Sequence, residues 1–273
     1  MSDSVEDAVE RAIAVMRENL GEPLTVDDMA RAALFSKFHF TRIFQRTTGV
    51  SPGRFLSALR LQQAKRLLVS TSLNVADISL RVGYNSVGTF SSRFTRSVGL
   101  CPTEYRRTGG YVQSVFRASG QPKHGSGAVV HGRIWPAPIE RQGLVFLGLF
   151  PDRVPEGRPV QCAILTRPGP YQLADVPPGS WHLLAHSAAY NSPEAFNATA
   201  DSPEHTVSVA AQGPITVRRD TRYKAIDVQL RPARMADPPV LLALVDVRKA
   251  AFARITGEPF PAGQRELATS GVR

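Results

Sequence analysis

Cysteine is scarce and long apolar runs are absent in this chain of 273 residues. Its two cysteines, Cys101 and Cys162, are too few for a disulfide framework or a cysteine metal site, so we interpret each as a small buried hydrophobic residue. No apolar run reaches membrane-spanning length, and the opening MSDSVEDAVE is acidic where a signal peptide is basic. The sequence therefore predicts a cytoplasmic protein without a membrane partner.

Acidic residues are nearly absent from one region of the chain. Between Arg31 and Arg107 there are 13 Lys and Arg against only Asp77 and Glu104, a net charge of +11, whereas residues 1–30 hold two Arg against eight acids, a net charge of −6. A concentrated basic block indicates a polyanionic partner, because each neutralised phosphate releases counterions. Charge alone is equally consistent with a solvated helical surface.

The sequence repeats itself at an offset of 50 residues. Phe55 in the first copy also faces another aromatic residue, Tyr105, in the second. Two copies of one structural unit are the simplest explanation of such a register. The identical pairs are Asp27 and Asp77, Arg31 and Arg81, Ser36 and Ser86, Phe40 and Phe90, Phe44 and Phe94, Arg46 and Arg96, Gly49 and Gly99, and Pro52 and Pro102.

Each copy is predicted to fold as a short helix, a tight turn and a longer helix. In the first copy, Thr25 and Ser36 are placed to cap the two helices, and Gly49 to end the longer one in the left-handed conformation. Phe40 and Phe44 have the spacing of a buried stripe, which leaves polar side chains on the opposite face. The pattern is typical of a helix-turn-helix unit.

The second copy follows the same plan, with Ser86 as the cap and Gly99 as the stop. Between the copies, the segment from Gly53 to Val69 predicts one connecting helix of roughly 17 residues. Outward Lys, Arg, Thr and Gln side chains suit the base edges of the major groove, so double-stranded DNA is the predicted partner. The alternative is a helical bundle that binds proteins, but such a bundle does not need the repeat, the basic block and the polar faces together.

From Leu24 to Arg107 the sequence closely resembles the AraC/XylS family of bacterial transcription regulators. This resemblance implies seven helices, with two recognition helices entering successive segments of the major groove. Such regulators also contact RNA polymerase when they activate transcription. The matching segments are SKFHFTRIFQRTTGVSP from Ser36, RLQQAKRLL from Arg60, VGYNSVGTFSSRFTRSVG from Val82 and PTEYRR from Pro102.

The resemblance also assigns DNA-contacting residues. Arg42 is the expected main base reader, and Arg46, Arg60, Arg93 and Arg96 are candidates for phosphate contacts. In the second unit two base-reading positions have no side-chain donor or acceptor, so we expect the first unit to supply most of the base discrimination. The predicted DNA-binding set is Lys37, Phe38, Thr41, Arg42, Gln45 and Arg46 in the first unit, and Ser86, Val87, Gly88, Ser91, Ser92 and Arg96 in the second.

The second half of the chain is predicted to be mainly β. Helical periodicity gives way to short apolar or alternating runs separated by Pro- and Gly-rich turns. The runs are Leu144–Phe150, Val160–Thr166, Trp181–His186, Thr206–Ala210, Ile215–Val217, Ala225–Leu230 and Val240–Val247. The whole is thus a multidomain chain: a helix-turn-helix domain at 1–110, a linker at 111–130, a sandwich-like β domain at 131–250 and a tail at 251–273. The stretch YQLADVPPGSW from Tyr171 is predicted to be a hairpin. It weakly resembles the prealbumin-like sandwich of carboxypeptidase regulatory domains, with a GyrI-like module as the alternative.

Little in this half indicates chemistry. His182 and His186 share a strand face, but no carboxylate or cysteine joins them at metal-binding spacing, and Ser180, His182 and Asp175 do not follow the order of a catalytic triad. We predict no catalysis, no cofactor and no metal, and we assign no ligand-binding residue. The β domain is expected to sense a small molecule or to form a homodimer. The alternatives are an enzyme targeted to DNA and a scaffold whose β domain binds another protein.

Overall fold

The computed structural model describes residues 5–109, 127–138, 143–189 and 207–241. Its helices all lie in the first range and its strands in the other three, which confirms the predicted division into a helical and a mainly-β part. No helix in these ranges is both long and apolar enough to cross a membrane. The helices are α1 (Val5–Glu18), α2 (Val26–Ala32), α3 (Lys37–Thr48), α4 (Pro52–Ser70), α5 (Val75–Arg81), α6 (Val87–Val98) and α7 (Pro102–Arg107).

The sequence repeat is a repeat of structure. Helices α3 and α6 contain 12 residues each and begin 50 residues apart. Both end at a left-handed glycine, Gly49 with a φ of 81° and Gly99 with a φ of 91°. The next helix begins at Pro52 in one copy and at Pro102 in the other, where the missing N–H is not needed. Helix α4, which connects the copies, has 19 residues, two more than predicted.

A trio of buried aromatic rings holds each longer helix on the helix that follows it. The rings are Phe40, Phe44 and Phe55 in the first copy, and Phe90, Phe94 and Tyr105 in the second. Successive ring centroids are 5.3 and 5.4 Å apart in the first trio and 5.6 and 5.5 Å apart in the second. Tilted and edge-to-face ring contacts at these distances add an attraction to the stabilisation that comes from burying apolar surface. The equal spacing shows that the two copies share one packing scheme.

The predicted helix caps differ in how they bond. Thr25 forms a full capping box, in which the Asp28 amide donates to Thr25 Oγ1 and the Thr25 amide donates to the Asp28 carboxylate. Ser86 accepts a hydrogen bond of 3.3 Å from the Thr89 amide. Ser36 occupies the capping position of α3, but its side chain makes no capping bond. The predicted positions are therefore right, although only two of the three serve as side-chain caps.

The β part contains two sheets within the described residues. One has the order β4-β1-β7, with β8 also pairing with β1, and the other has the order β3-β2-β5-β6-β9. The strands are β1 (Ala128–Trp135), β2 (Gly143–Phe150), β3 (Gln161–Leu165), β4 (Pro170–Val176), β5 (Gly179–Ala189), β6 (Val207–Val217), β7 (Tyr223–Ala225), β8 (Val228–Gln229) and β9 (Arg231–Pro232).

Both sheets contribute side chains to one hydrophobic core. Val130 of β1 and Leu173 of β4 come from the first sheet, and Leu147 of β2 and Leu183 of β5 from the second. Strand β2 is buried along its whole length, because its other face carries a separate cluster that includes Phe146. The continuous apolar run predicted as one strand therefore reflects burial on both faces.

The predicted hairpin around VPPGS is wrong. Strand β4 pairs with β1 in one sheet, whereas β5 pairs with β2 and β6 in the other, so this turn carries the chain from one sheet to the next. Asp175, just before the turn, has a left-handed φ of 56°. Pro177 and Pro178 have no N–H to donate to a ladder, which disfavours direct pairing of the strands that flank them.

Other strand predictions need smaller corrections. Of the runs predicted at 206–210 and 215–217, the described residues 207–210 and 215–217 belong to the single strand β6. Strand β1 was not predicted and begins at Ala128, three residues before the expected start of the β domain at 131. Of the run predicted at 240–247, only Val240 and Leu241 are described, and neither lies in a strand. Tail 251–273 and most of linker 111–130 lie outside the described residues.

Two segments of the β part pack against the helices. Val154, in the loop between β2 and β3, belongs to the helical core, as do Ala236 and Leu241 after β9. The Lys65 ammonium of α4 donates to the Val240 carbonyl at 3.3 Å. The helical and mainly-β parts are therefore in direct contact through residues 151–157 and 233–241.

The two left-handed glycines of the second copy are expected to tolerate alanine differently. At Gly83, with a φ of 80°, a methyl group would collide with the Leu20 carbonyl oxygen and the Arg60 guanidinium, whereas at Gly99 it would meet nothing within 4 Å. Gly99→Ala should cost about 1 kcal/mol of left-handed strain. Gly83→Ala should cost roughly 1 to 3 kcal/mol more, because neighbouring atoms must move. Urea unfolding of the two variants measures this, and equal losses would contradict the close approach at Gly83.

Candidate DNA-binding surface

The predicted contact residues of the first unit lie on the outer face of α3. Arg42, Gln45 and Arg46 are exposed, opposite the buried Phe40 and Phe44. None of these three polar side chains forms a hydrogen bond or ion pair with any residue that the structure describes. Their donors and acceptors are therefore available to a partner.

Two other polar residues of this face are held by local bonds. The Lys37 ammonium lies 2.7 Å from an Asp27 carboxylate oxygen, and both side chains are more than half exposed. Thr41 donates its hydroxyl to the Lys37 carbonyl at 2.8 Å. An ion pair this exposed contributes little to stability, so Lys37 can exchange its carboxylate for a phosphate at small cost.

Helix α6 presents an equivalent face with shorter side chains. Val87, Gly88 and Ser92 are exposed, and Ser91 is half-buried. Arg96 is exposed and forms no side-chain bond with the described residues, whereas Ser86 is used as a cap. The structure thus brings the predicted residues of each unit onto one helix face, and it leaves the second face with a single long polar side chain among them.

Apolar side chains are exposed at the start of both helices. Phe38 is 89% exposed and Val87 is 41% exposed. Soluble proteins expose single apolar residues routinely, but these two stand on the two faces that the repeat makes equivalent. Both positions suit contact with thymine methyl groups in a major groove.

Two of the four predicted phosphate-contacting arginines are engaged within the protein. Arg60 donates to the carbonyls of Leu20 and Glu22, at 2.9 and 2.7 Å, and thereby fixes the connection between α1 and α2. Arg93 donates to the Ser57 hydroxyl at 3.2 Å. These bonds give Arg60 and Arg93 structural roles and leave Arg46 and Arg96 as the better candidates for phosphate. His39 is exposed, and its ring lies edge-on to that of Phe35, with 4.8 Å between the centroids.

Thr95 also lies on the outer face of α6, although it was not among the predicted contact residues. The offset of 50 residues places Thr95 of α6 at the position of Gln45, and Thr95 is exposed. Its hydroxyl donates to the Ser91 carbonyl at 2.7 Å. The repeat itself was the signal that would have identified it.

Contacts with the loop between β2 and β3 were also not foreseen. Arg54 of α4 forms ion pairs with Asp152 and Glu156, and these acids raise the pKa of Arg54 although its burial acts against them. Glu156 also accepts a bond of 2.8 Å from the hydroxyl of Ser97, at the end of α6. The Gly157 amide donates to the Ser97 carbonyl at 2.8 Å. One loop of the β part therefore contacts both the connecting helix α4 and the end of α6.

Candidate chemistry in the β part has little support. Among the described residues, no group of three or more His, Cys, Asp or Glu is arranged to hold a metal ion. His186 is buried, whereas His182 is half-buried beside Asp152 and Arg153. Burial and the Arg153 charge lower the pKa of His182, against the opposing effect of Asp152. The two histidines therefore lie in different surroundings although they share a strand face.

Comparison with known proteins identifies the helical part. A family model described as a helix-turn-helix domain matches residues 29–108. The lactose operon transcription activator of Staphylococcus xylosus is 32% identical over 104 residues, which are 38% of this chain and 37% of that protein. The transcriptional activator AarP of Providencia stuartii is 33% identical over 88 residues, 32% of this chain and 65% of the relative. The chain spans only about a third of the length of the first relatives, 37%, 28% and 33%.

Among solved structures, an AraC-type regulator from Chromobacterium violaceum is 30% identical, with a TM-score of 0.37, and the match covers 40% of this chain and 96% of that one. The repeated fold, its outward faces and the family match together define a double helix-turn-helix DNA-binding domain. This domain belongs to the AraC/XylS family, as the residues from Leu24 to Arg107 predicted.

Lys65 gives this part of the molecule a measurable pH dependence. Burial lowers the pKa of Lys65 from 10.5 to about 8, so between these values the unfolded chain binds a proton that the folded chain has lost. Stability relative to a Lys65→Met variant should therefore rise by about 3 kcal/mol as the pH increases from 8 to 10.5. Denaturant unfolding of both proteins across this range measures the difference.

The matched control is Lys37→Met, which makes the same change at a side chain that is 53% exposed. Its stability difference from the unmodified protein should stay nearly constant with pH. A constant difference for Lys65→Met as well would show that Lys65 is hydrated rather than buried.

Proposed function

We propose that the whole chain is a sequence-specific transcription regulator whose α3 and α6 enter successive major-groove segments of one duplex. The observation that carries the proposal is the structural repeat: two helices of equal length, each anchored by an aromatic trio, present exposed faces within a block of net charge +11. Long-range attraction by this block favours encounter with DNA, and the outward side chains then select the sequence.

Within this proposal the first unit reads bases. Arg42 is suited to a guanine, Gln45 to an adenine and Phe38 to a thymine methyl group. All three are exposed, and neither polar side chain is engaged by the residues that the structure describes. Lys37 and Arg46 flank this set as phosphate contacts. Thr41 completes the face.

The second unit mainly contacts the phosphate backbone of the DNA. Arg96 provides its charge, and Val87 offers apolar contact to a thymine methyl group. Ser91, Ser92 and Gly88 leave room for close approach but offer short or no polar groups. Ser86 keeps its capping role while facing the duplex. The first unit therefore contributes most of the base discrimination, and the second unit contributes mainly to affinity.

The β domain is proposed to sense a small molecule or to mediate dimerisation, and RNA polymerase is the further partner if the regulator activates. The sandwich-like architecture and the boundaries 1–110, 111–130, 131–250 and 251–273 belong to the same proposal. The core shared by both sheets supports two packed layers. Exposed Trp135 and Tyr223, 47% and 72% accessible, support an interaction surface on the first sheet, for a second copy or for the protein partner of a scaffold.

The alternative of a DNA-targeted enzyme has less support. The relatives that share the helical domain are named as regulators. Burial raises the pKa of the Cys162 thiol to about 11, so this cysteine is a thiol at neutral pH and a poor nucleophile. Cys101, predicted to be buried, is in fact exposed, because it lies at the N-cap position of α7, outside the buried positions Pro102 and Tyr105.

The central test is selection of duplexes from a random pool by the full chain, followed by randomisation of one half-site at a time. We expect randomisation of the half-site under α3 to weaken binding more than randomisation under α6. The reason is that α3 carries most of the long polar side chains that face outward. Stronger base preference under α6 would contradict the proposed division, and no enrichment of any sequence at physiological salt would end the proposal.

Two arginine variants distinguish base recognition from phosphate contact. Arg42→Ala should lose about 1 to 3 kcal/mol on the selected duplex and relax preference at one base position. Arg96→Ala should weaken all duplexes alike and lower the slope of log affinity against log salt by about 0.9. Titrations at several salt concentrations, on the selected and a scrambled duplex, measure both effects.

Arg158→Ala provides the control, since Arg158 is exposed in the β part and outside the proposed surface. It should leave base preference and salt slope unchanged. If Arg42→Ala and Arg96→Ala gave the same pattern, the assignment of a reader and a phosphate contact would be wrong.

A further inference from the structure

A partly open, mostly apolar pocket lies between the second sheet and the segment after β9. Its walls include Phe146 and Phe150 of β2, Leu184 and His186 of β5, and Val240. The cavity measures about 60 Å³, several times the roughly 10 to 15 Å³ that one water requires. A cavity of roughly 150 Å³ is known to hold a benzene ring, so this pocket has room for a short chain of two or three carbons rather than for a ring.

The charges at the rim favour an anion. Both terminal guanidinium nitrogens of Arg231 donate to the Asp237 carboxylate, at 2.7 and 2.6 Å. These two charges therefore neutralise each other. Arg153 also lines the pocket, but its guanidinium forms no ion pair with any residue that the structure describes. The neighbouring carboxylate of Asp152 instead accepts from the Arg153 backbone amide and pairs with Arg54. Apolar walls beside one unmatched guanidinium fit a small apolar carboxylate.

Arg153 also touches the DNA-binding domain. Its side chain occupies the space that a Cβ atom of Gly49 would fill, directly at the end of α3. A cation at a helix C-terminus interacts favourably with the helix dipole. Arg153 thus contacts both the pocket and the end of the first recognition helix.

The loop that carries Arg153 is bonded to both α4 and the end of α6. Asp152 and Glu156 pair with Arg54, and Glu156 and Gly157 bond to Ser97. A ligand that draws Arg153 toward the pocket would therefore pull on contacts that fix α3, α4 and α6. We propose that this pocket binds a small apolar carboxylic acid through Arg153, and that binding weakens the hold of the protein on its duplex. This inference rests on the proposed function and assigns its sensing site.

Propionate is the probe, with 1-propanol as the uncharged molecule of similar shape, and the full chain is used throughout. Propionate at millimolar concentration should raise the Tm in a saturable manner, because a ligand that binds only the folded state stabilises it. 1-Propanol should bind about tenfold more weakly, since it cannot form the charge-assisted bonds. Arg153→Met should lose this preference for the acid, whereas Arg158→Met, an equal change at an exposed arginine of the same loop, should keep it.

The coupling is tested on the duplex obtained by selection. Propionate should weaken duplex binding by about fivefold in the unmodified protein and in Arg158→Met, but not in Arg153→Met. No saturable rise in Tm, or an equal rise in all three proteins, would overturn the site. A rise in Tm without any change in duplex affinity would overturn the coupling. Failure of the parent proposal is distinct, because the chain would then select no duplex while the propionate result stood by itself.

Discussion

The structure of the DNA-binding domain depends on one packing contact that is made twice. In each copy, two phenylalanines one turn apart on the longer helix meet an aromatic ring on the following helix. Because all six rings are buried, the rotation of α3 and α6 about their own axes is fixed by the core. The residues that face outward are then determined, since a helix that buries positions i and i+4 must expose the opposite side.

This constraint explains why similar scaffolds carry unequal surfaces. The aromatic trios of the two copies match position for position, with Tyr105 in place of Phe55 as the one change. The outward positions differ, from Arg42 and Gln45 in one copy to Ser92 and Thr95 in the other. Packing restricts only the buried side, so the residues of the exposed side are free to differ between the two copies.

The same distinction explains what the sequence could predict. The helices, the left-handed Gly49 and the outward face of α3 follow from local spacing and from the repeat, so they were predictable. The VPPGS turn was misassigned because a turn motif does not specify which strands pair, and pairing depends on partners distant in the chain. The contacts of Arg54 with Asp152 and Glu156 join residues about a hundred positions apart, and no local pattern predicts them.

Those distant contacts join the β part to the helices. The ion pairs of Arg54 involve side chains that are 30 to 42% exposed, so they contribute little to stability. Val154 and Leu241 are buried in the helical core, and burial of each such side chain stabilises by about 1.5 to 3 kcal/mol. Apolar contact therefore contributes most of the stability of this junction. The loop between β2 and β3 adds polar contacts to two helices at once, because it reaches both α4 and the end of α6.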